Sequence, residues 1–167
     1  MNKTLLAASL LALASLTSVA AAADDSWYVR GTLGSGRISV DGLGHDDATG
    51  GSIGLGYWFN RNFAIEGAYT DFGDHNGAKI DSWGLGLVGK AHFNQADTGW
   101  FVDGRIGIAR LEARFHGIGG SDDKAYVGAG LGYDFNKNFG ASINYLWNDG
   151  GSGASASLAS VGLEARF

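Results

Sequence analysis

Apolar residues recur at every second position along most of this chain. In the stretch 27–33, Trp27, Val29 and Leu33 are apolar, and Arg30 and Thr32 stand between them. Successive side chains of a β-strand point to opposite faces, so a period of two indicates strands rather than helices. The same alternation returns in seven further stretches, at 53–59, 63–69, 83–93, 100–108, 127–135, 139–147 and 159–167.

The connections between these eight stretches alternate in length. Short turns lie at 60–62, 94–99 and 136–138, whereas longer polar segments lie at 36–50, 73–81, 112–124 and 148–156. An even number of strands, with short turns at one end and longer loops at the other, is typical of bacterial outer-membrane barrels. The pattern therefore predicts an all-β, 8-stranded antiparallel up-and-down transmembrane β-barrel.

A soluble β-sandwich or a lipocalin-like barrel is the alternative, with its apolar strand faces turned inward. Two observations favour the membrane barrel. Glycine accounts for 29 of the 167 residues and crowds the non-apolar strand faces, which is unlike an ordinary hydrated surface. Aromatic residues also cluster where strands meet turns, as they do in the interfacial girdles of outer-membrane barrels.

A leader precedes the first strand. Lys3 is followed by an apolar run over 5–19 and by three alanines at 21–23, which are the parts of a secretory signal peptide. A transmembrane anchor helix is the rival interpretation, but the apolar run has roughly 15 residues and spanning needs about 20. We expect a signal peptide over residues 1–23 and a barrel over residues 24–167.

Charge and cysteine content narrow the class further. Without Lys3, the 12 basic residues become 11 against 17 acidic ones, a net charge of −6. This balance argues against a nucleic-acid partner, which requires a basic face. The chain has no cysteine, so an exported form has no disulfide framework.

One strand–turn–strand unit occurs twice. The stretch 53–63, IGLGYWFNRNF, resembles the stretch 129–139, AGLGYDFNKNF, and Tyr69 and Tyr145 close the two copies. Two copies suit a barrel that is built from hairpins and do not require a solenoid.

The sequence resembles a known family, the OmpA-type and OmpX-type small outer-membrane barrels. The resemblance is carried by five motifs: WYV at 27–29, GYWFNRNF at 56–63, IEGAY at 65–69, YDF at 133–135 and LEARF at 163–167. It implies localisation in the bacterial outer membrane after signal-peptide cleavage, amid outer-membrane lipid and lipopolysaccharide. It also implies that Val161, Leu163 and Phe167 form the signal that the barrel-assembly machinery recognises.

Seven charged residues occupy the inward parity of the predicted strands and form a candidate barrel-interior charge network. They are Arg30, Glu66, Lys90, Asp103, Arg105, Glu164 and Arg166. Both signs are present, so the charges can neutralise one another in a confined interior. The resemblance places Glu66, Lys90 and Arg105 at interior charge positions of the OmpA type, and Gly132 and Ser142 replace two others. Because these three charges have inward parity on adjacent strands, which lie about 4.8 Å apart, we expect their long side chains to meet.

The sequence patterns that could indicate a nucleotide site or a metal site are incomplete. The stretch 84–90, GLGLVGK, matches nucleotide-binding patterns, but Ala91 follows the lysine where a P-loop has Ser or Thr. Of the four histidines, His45, His75 and His116 lie in predicted loops, and none has a second ligand at a recognised metal spacing. We expect no metal, no cofactor and no enzyme activity.

Three functions remain open. The first is a structural or surface-interaction barrel with no wide pore, whose extracellular ligand at the loops is unknown. The second is a narrow porin for ions or small solutes, although eight strands leave an interior that side chains can fill. The third is a barrel enzyme acting on outer-membrane lipid, which needs a nucleophile beside a base. An assay of lipid A modification in membranes separates the third from the others.

Overall fold

The computed structural model describes residues 26–40, 44–75, 78–94, 96–115, 118–151 and 154–167. The predicted signal peptide at 1–23 lies outside these residues. The described chain forms eight strands: β1 Ser26–Val40, β2 Gly44–Trp58, β3 Phe63–His75, β4 Ala78–His92, β5 Gly99–Phe115, β6 Ile118–Asp134, β7 Phe139–Gly151 and β8 Ala154–Arg166. Among the described residues, no helix has the length and apolar character needed to cross a membrane.

The strands form one closed antiparallel barrel in chain order, which confirms the predicted fold class. β1 pairs with β8 over the register Tyr28↔Arg166 to Val40↔Ala154. Two backbone hydrogen bonds join Trp27 and Phe167, with N···O distances of 3.1 and 2.9 Å. Closure gives every strand two neighbours, so no edge is left with unpaired backbone groups.

The strands are longer than the hydrophobic pattern predicts, and the predicted long loops are wrong. The segments predicted as loops at 36–50, 73–81, 112–124 and 148–156 are largely paired strand, and pairing continues to Val40↔Gly44 and Phe115↔Ile118. The alternation of apolar residues marks only the part of a strand that faces lipid. Polar side chains beyond it do not interrupt the backbone ladder, because antiparallel pairing needs only N–H and C=O groups.

The two ends of the barrel differ. At the short-turn end, where β2–β3, β4–β5 and β6–β7 join, the Asn60 side-chain oxygen accepts hydrogen bonds from the Asn62 and Phe63 amides at 2.8 and 3.0 Å. Asn136 does the same for Asn138 and Phe139, both at 2.8 Å. The internal repeat is therefore a repeated turn geometry. The opposite end, where β1–β2, β3–β4, β5–β6 and β7–β8 join, is called the hairpin end below.

One irregularity lies near the hairpin end of β3. The register between β3 and β4 shifts between Asp71 and Asp74, and Gly73 has a φ of 97°. Its amide donates a 2.9 Å hydrogen bond to the Asp71 side chain. This bulge requires a left-handed backbone conformation, which glycine adopts without steric cost.

The outer wall is apolar between two aromatic belts. Exposed aromatic residues surround the short-turn end: Trp27, Phe59, Phe63, Phe93, Trp100, Tyr133, Phe135, Phe139 and Phe167. A second belt towards the hairpin end includes Tyr69, Trp83, Tyr145 and Trp147. Between the belts, the exposed residues are aliphatic, as they are on a wall that faces hydrocarbon. The polar faces point inward, which confirms the alternation predicted from sequence.

We predict that Leu131→Arg destabilises the barrel by about 2–4 kcal/mol, the range for a cation on the lipid face near mid-membrane. Leu131 lies on β6, is 38% exposed and points outward between the two belts. Urea titration of the barrel in lipid vesicles measures the free energy of unfolding. Leu131→Ala is the control, because it shortens the same side chain without adding charge. Equal stability of the two variants would show that Leu131 does not face hydrocarbon.

Candidate functional site in the barrel interior

The interior of the barrel is filled by charged side chains that form two separate clusters. Each cluster contains two cations and two carboxylates, supplied by strands that are far apart in sequence. The four cations are Arg30, Lys90, Arg105 and Arg166, and the four carboxylates are Glu66, Asp103, Asp134 and Glu164. An eight-stranded barrel has an interior just wide enough for side chains to fill.

The central ion cluster is a ring in which charges alternate in sign. Arg30 binds Glu66 through its Nη2 atom, and the Arg105 Nη2 atom lies 2.9 Å from Asp103 Oδ2. Two contacts of 4.0 Å complete the ring, from Arg30 to Asp103 and from Arg105 to Glu66. The Tyr28 hydroxyl donates a further 2.7 Å hydrogen bond to Glu66. Every charge in the ring therefore has an opposite charge on both sides.

The turn-end ion cluster repeats this arrangement closer to the short turns. The Lys90 ammonium lies 3.1 Å from Glu164 and 3.4 Å from Asp134. Arg166 contacts the same two carboxylates, at 2.9 and 2.8 Å. His92 Nε2 lies 2.9 Å from Asp134 Oδ2, so this one oxygen faces three nitrogen groups. Asp134 is the residue on which the cluster converges.

Aromatic rings enclose the cations of the turn-end ion cluster. The Lys90 ammonium lies 3.9 Å from the Phe101 ring centroid and 5.1 Å from that of Trp58. The Arg166 guanidinium lies 5.3 Å from the Trp58 centroid. Within about 6 Å of a ring face, a cation is attracted by the negative face of the π system. A Cβ atom at Gly132 would collide with the Phe101 ring, so this glycine makes room for the ring that supports Lys90.

A small polar cavity lies beyond the central ion cluster, towards the hairpin end. It has a volume of about 40 Å³ and is lined by Thr32, Ser52, Thr70, Ser82 and Asn148, among others. The Thr32 and Ser52 hydroxyls are hydrogen-bonded to each other at 2.8 Å. A volume of this size can hold a few water molecules, and its hydroxyl and amide groups can bind them.

A cluster of apolar side chains, called the apolar plug, lies in the lumen between this cavity and the hairpin end. Its buried members are Phe72, Ala156 and Leu158, and Ile80, Leu111 and Leu146 pack against them. Phe72 is completely buried and Leu158 is 2% exposed. From the short turns to the hairpin end, the lumen is thus occupied by the turn-end ion cluster, the central ion cluster, the polar cavity and the apolar plug.

The structure brings the seven charges predicted for the interior into these two clusters, but it pairs them differently from the sequence prediction. We expected Glu66, Lys90 and Arg105 to meet. Arg105 does approach Glu66, whereas Lys90 belongs to the turn-end ion cluster with Glu164. The expected three-residue contact is wrong because Lys90 lies closer to the short turns and faces β6 and β8 across the lumen.

Sequence reasoning missed Asp134 and Tyr28 as participants in these clusters, whereas its parity predicts an inward His92 near the short turns, where the structure places it against Asp134. Asp134 has the same parity as the inward glycines of β6, such as Gly130, and that signal was sufficient to place it inside. It was overlooked because it sits at the strand end, next to the turn. Its side chain is 1% exposed and holds both cations of the turn-end ion cluster.

The remaining candidates from sequence lie apart from this interior site. The stretch at 84–90 lies in β4, so no helix follows it to bind phosphate. Within the described part of the chain, no group of His, Asp and Glu side chains could hold a metal ion. The His45 and His75 side chains and the whole of His116 lie outside what the structure describes.

Val161, Leu163 and Phe167 lie together on the outer face of the final strand. Their exposed fractions are 63, 47 and 42%. The first two point outward from β8, and Phe167 follows its last residue and is hydrogen-bonded to Trp27. Their side chains are thus available to a contact outside the barrel wall.

Comparison with known proteins gives a family and a set of similar folds. Residues 8–167 match the family model for the outer membrane protein beta-barrel domain. An uncharacterized protein of Haemophilus influenzae is 26% identical over 175 residues, covering 95% of this chain and 98% of that protein.

Solved barrels share the fold at lower identity. Neisserial surface protein A, NspA, is 18% identical with a TM-score of 0.66 and covers 84% of this chain and 97% of its own. Ail, the attachment invasion locus protein of Yersinia pestis, is 19% identical with a TM-score of 0.59, and the coverages are 86 and 97%. The N-terminal barrel domain of Pseudomonas aeruginosa OprF is 17% identical with a TM-score of 0.59, at 84 and 97% coverage.

We predict that Glu66→Ala destabilises the barrel by about 3–5 kcal/mol, because it removes the hydrogen-bonded carboxylate of the buried Arg30 and leaves that guanidinium only the 4.0 Å contact to Asp103. Urea titration in vesicles measures the loss. Asp123→Asn is the matched control, since it breaks the exposed Arg110–Asp123 pair on the outer wall, where an ion pair contributes little. A loss of similar size in both variants would contradict a role for burial.

We predict that Asp134→Asn destabilises the barrel more than Glu164→Gln. The Asp134 carboxylate contacts Lys90, His92 and Arg166, whereas Glu164 contacts only Lys90 and Arg166 among the described residues. Both substitutions remove one negative charge and keep the side-chain shape, so the number of donors left unpaired decides the order. The same titration measures both variants, and the reverse order would show that Asp134 is not the centre of the cluster.

Proposed function

The chain belongs to the outer membrane protein beta-barrel family, and on that basis we propose that it stabilises the envelope and presents its hairpin end for contact outside the cell, without conducting solutes. It is an eight-stranded barrel of the bacterial outer membrane, and its short-turn end faces the periplasm, as in this class of barrels. The hairpin end then faces outward. The proposal concerns what such a barrel does there.

One observation carries the proposal that the lumen is blocked and does not conduct solutes. Two alternating rings of charge, followed by the apolar plug, occupy the lumen from the periplasmic end to the outer end. A solute would have to separate buried ion pairs and then displace Phe72 and Leu158. Separating such pairs leaves buried charges uncompensated, which is costly.

The hairpin end supports a role in surface contact. β5 and β6 each have 17 residues, and a tilted strand needs about 9–11 residues to cross the membrane. The excess extends past the outer aromatic belt, and at the level of that belt the strands carry charged pairs such as Arg110–Asp123. NspA is described as a surface protein and Ail as an attachment invasion locus protein, and both share this fold. An outer end of paired strands that carries charged side chains is suited to binding a partner.

The structure offers less to the two alternatives. A narrow porin requires a continuous polar passage, and the apolar plug interrupts it. An enzyme acting on lipid requires a nucleophile beside a base. His92 contacts Asp134 and the Phe101 ring, and it lies at the periplasmic end. We therefore propose that the chain is not an enzyme and needs no cofactor.

Export and assembly complete the proposal. The signal peptide at 1–23 directs the chain across the inner membrane and is then cleaved. The outward side chains of Val161, Leu163 and Phe167 are the contact for the barrel-assembly machinery, and the folded barrel resides among outer-membrane lipid and lipopolysaccharide. The exposure of these three residues on the last strand supports that role.

We predict that the barrel shows no large, stable channels in planar lipid bilayers, because its lumen is filled. Glu66→Ala should raise ion leakage, since it removes a bulky side chain and opens the central ion cluster. Asp123→Asn serves as the control on the outer wall and should conduct as little as wild type. Large and stable wild-type channels would refute the proposal that the lumen is blocked and would establish the porin alternative.

A further inference from the structure

A groove runs along the lipid-facing wall over β6, β7, β8 and β1. It consists of two adjoining concavities that share Leu33, Leu131, Ile143 and Val161. The lower part reaches the aromatic belt at the periplasmic end. The upper part ends at Tyr145, in the outer belt.

Small side chains form the floor of this groove. Ala129, Tyr145, Ala159 and Ser35 stand in one row across the four strands. The two alanines in that row and Ala141 below it leave space between larger neighbours. On β4 and β5, the outward positions next to the outer belt carry Leu85, Leu87, Ile106 and Ile108, all more than half exposed. Next to that belt, the wall thus has large side chains on β4 and β5 and small ones at Ala129, Ala159 and Ser35.

A cation stands at the outer end of the groove. Arg37 is two residues beyond Ser35 on β1, and its register row contains Ser157 and Trp147. Its guanidinium donates two hydrogen bonds to Asp47, at 2.7 and 3.1 Å. An arginine guanidinium is charged at any physiological pH, so this side chain carries a positive charge at the level where lipid headgroups begin.

We propose that this groove binds one acyl chain of a phosphate-bearing lipid of the outer leaflet, with Arg37 holding the phosphate and Tyr145 and Trp147 lying beside the headgroup. The inference rests on the proposed function in one respect, namely that the wall faces the outer membrane. Hydrocarbon is then the medium around the groove, so an acyl chain is its occupant. The cation at its outer end selects an anionic headgroup.

The donors of Arg37 are sufficient for this role. A guanidinium has five N–H groups, and the hydrogen bonds to Asp47 use two of them, on Nε and Nη2. Donors on Nη1 can therefore bind a phosphate oxygen while Asp47 remains in place. Asp47 also competes for the cation, which gives the proposal a second consequence: its removal should strengthen lipid binding.

The chain supplies its own control for this site. Arg110 forms a similar exposed pair with Asp123, at 2.9 and 3.4 Å, and it is paired across the sheet with Trp83 of the outer belt. The neighbouring outward position of its strand carries Ile108, which is 67% exposed, whereas the corresponding neighbour of Arg37 is the small Ser35. Arg37 and Arg110 thus have the same charge, the same type of partner and a similar depth in the membrane. They differ in that the groove ends beside Arg37 and not beside Arg110.

The test uses the full barrel inserted in phosphatidylcholine vesicles that contain bisphosphorylated lipid A. After extraction into mild detergent, native mass spectrometry counts the lipid A molecules retained by each variant. A dephosphorylated lipid A serves as the comparison lipid, and the gel mobility shift of folded barrels verifies insertion. We expect wild type to retain one molecule of the phosphorylated lipid and much less of the dephosphorylated one.

The variants separate the two parts of the site. Arg37→Gln should weaken retention roughly tenfold, the factor expected for one lost charge-assisted hydrogen bond. Ala159→Leu and Ala129→Leu should weaken it by filling the groove without changing charge, and Asp47→Asn should strengthen it. Arg110→Gln should leave retention unchanged.

Each of the following results would overturn the inference. Equal losses in Arg37→Gln and Arg110→Gln would show that any surface cation suffices. Full retention in both leucine variants would show that the acyl chain lies elsewhere. Extraction of a lipid-free dimer, abolished by the leucine variants, would assign the groove to a second copy of this chain. Failure of wild type to insert would overturn the proposed function as well, whereas an inserted barrel without lipid preference would overturn this inference alone.

Discussion

The pairing of β1 with β8 is the constraint on which the rest of this structure depends. A backbone that crosses hydrocarbon must satisfy its own hydrogen bonds, and in a sheet this is possible only when the first and last strands meet. Closure at eight strands fixes a lumen too narrow for a water column and too wide to be left empty. The inward side chains must then fill this lumen, so closure of the sheet determines how much side-chain volume the interior needs.

Charge compensation decides which side chains can fill that lumen. A single buried ion pair often fails to repay the desolvation of its two members. In both clusters, each cation faces two carboxylates and each carboxylate faces two cations, so every charge is compensated twice. Glycine has an indirect part in this arrangement. Gly56 and Gly132 lie against the Tyr28 and Phe101 rings, where a side chain would displace a hydrogen-bond donor of one cluster or the aromatic support of the other.

The sequence was sufficient for the strand count, the order and the facing of side chains, because hydrophobic period and burial have the same physical cause. It was insufficient for strand length, since polar residues such as Arg110 and Asp123 pair their backbones without any apolar signal. It also could not pair residues across the lumen. Lys90 of β4 and Glu164 of β8 are 3.1 Å apart, and only the tilt and stagger of a closed barrel bring them together. From sequence, Gly132 was interpreted as a position where an interior charge of the OmpA type is absent. In the structure, the absence of a side chain at Gly132 leaves room for the Phe101 ring.

The duplicated turns divide most of the barrel into two similar halves, and the halves contribute different charges to the lumen. Asn62 and Asn138 each donate a side-chain hydrogen bond to a backbone carbonyl, of Lys90 and of Arg166 respectively, so β2–β4 and β6–β8 are equivalent halves. The equivalence fails at the acids: Asp134 and Glu164 of the second half correspond to Trp58 and Val88 of the first. Two copies of the first half would place two glutamates and two lysines in the lumen, and two copies of the second would place four carboxylates and two arginines there. One half of each kind is needed to balance the net positive charge that Arg30, Asp103 and Arg105 contribute from β1 and β5.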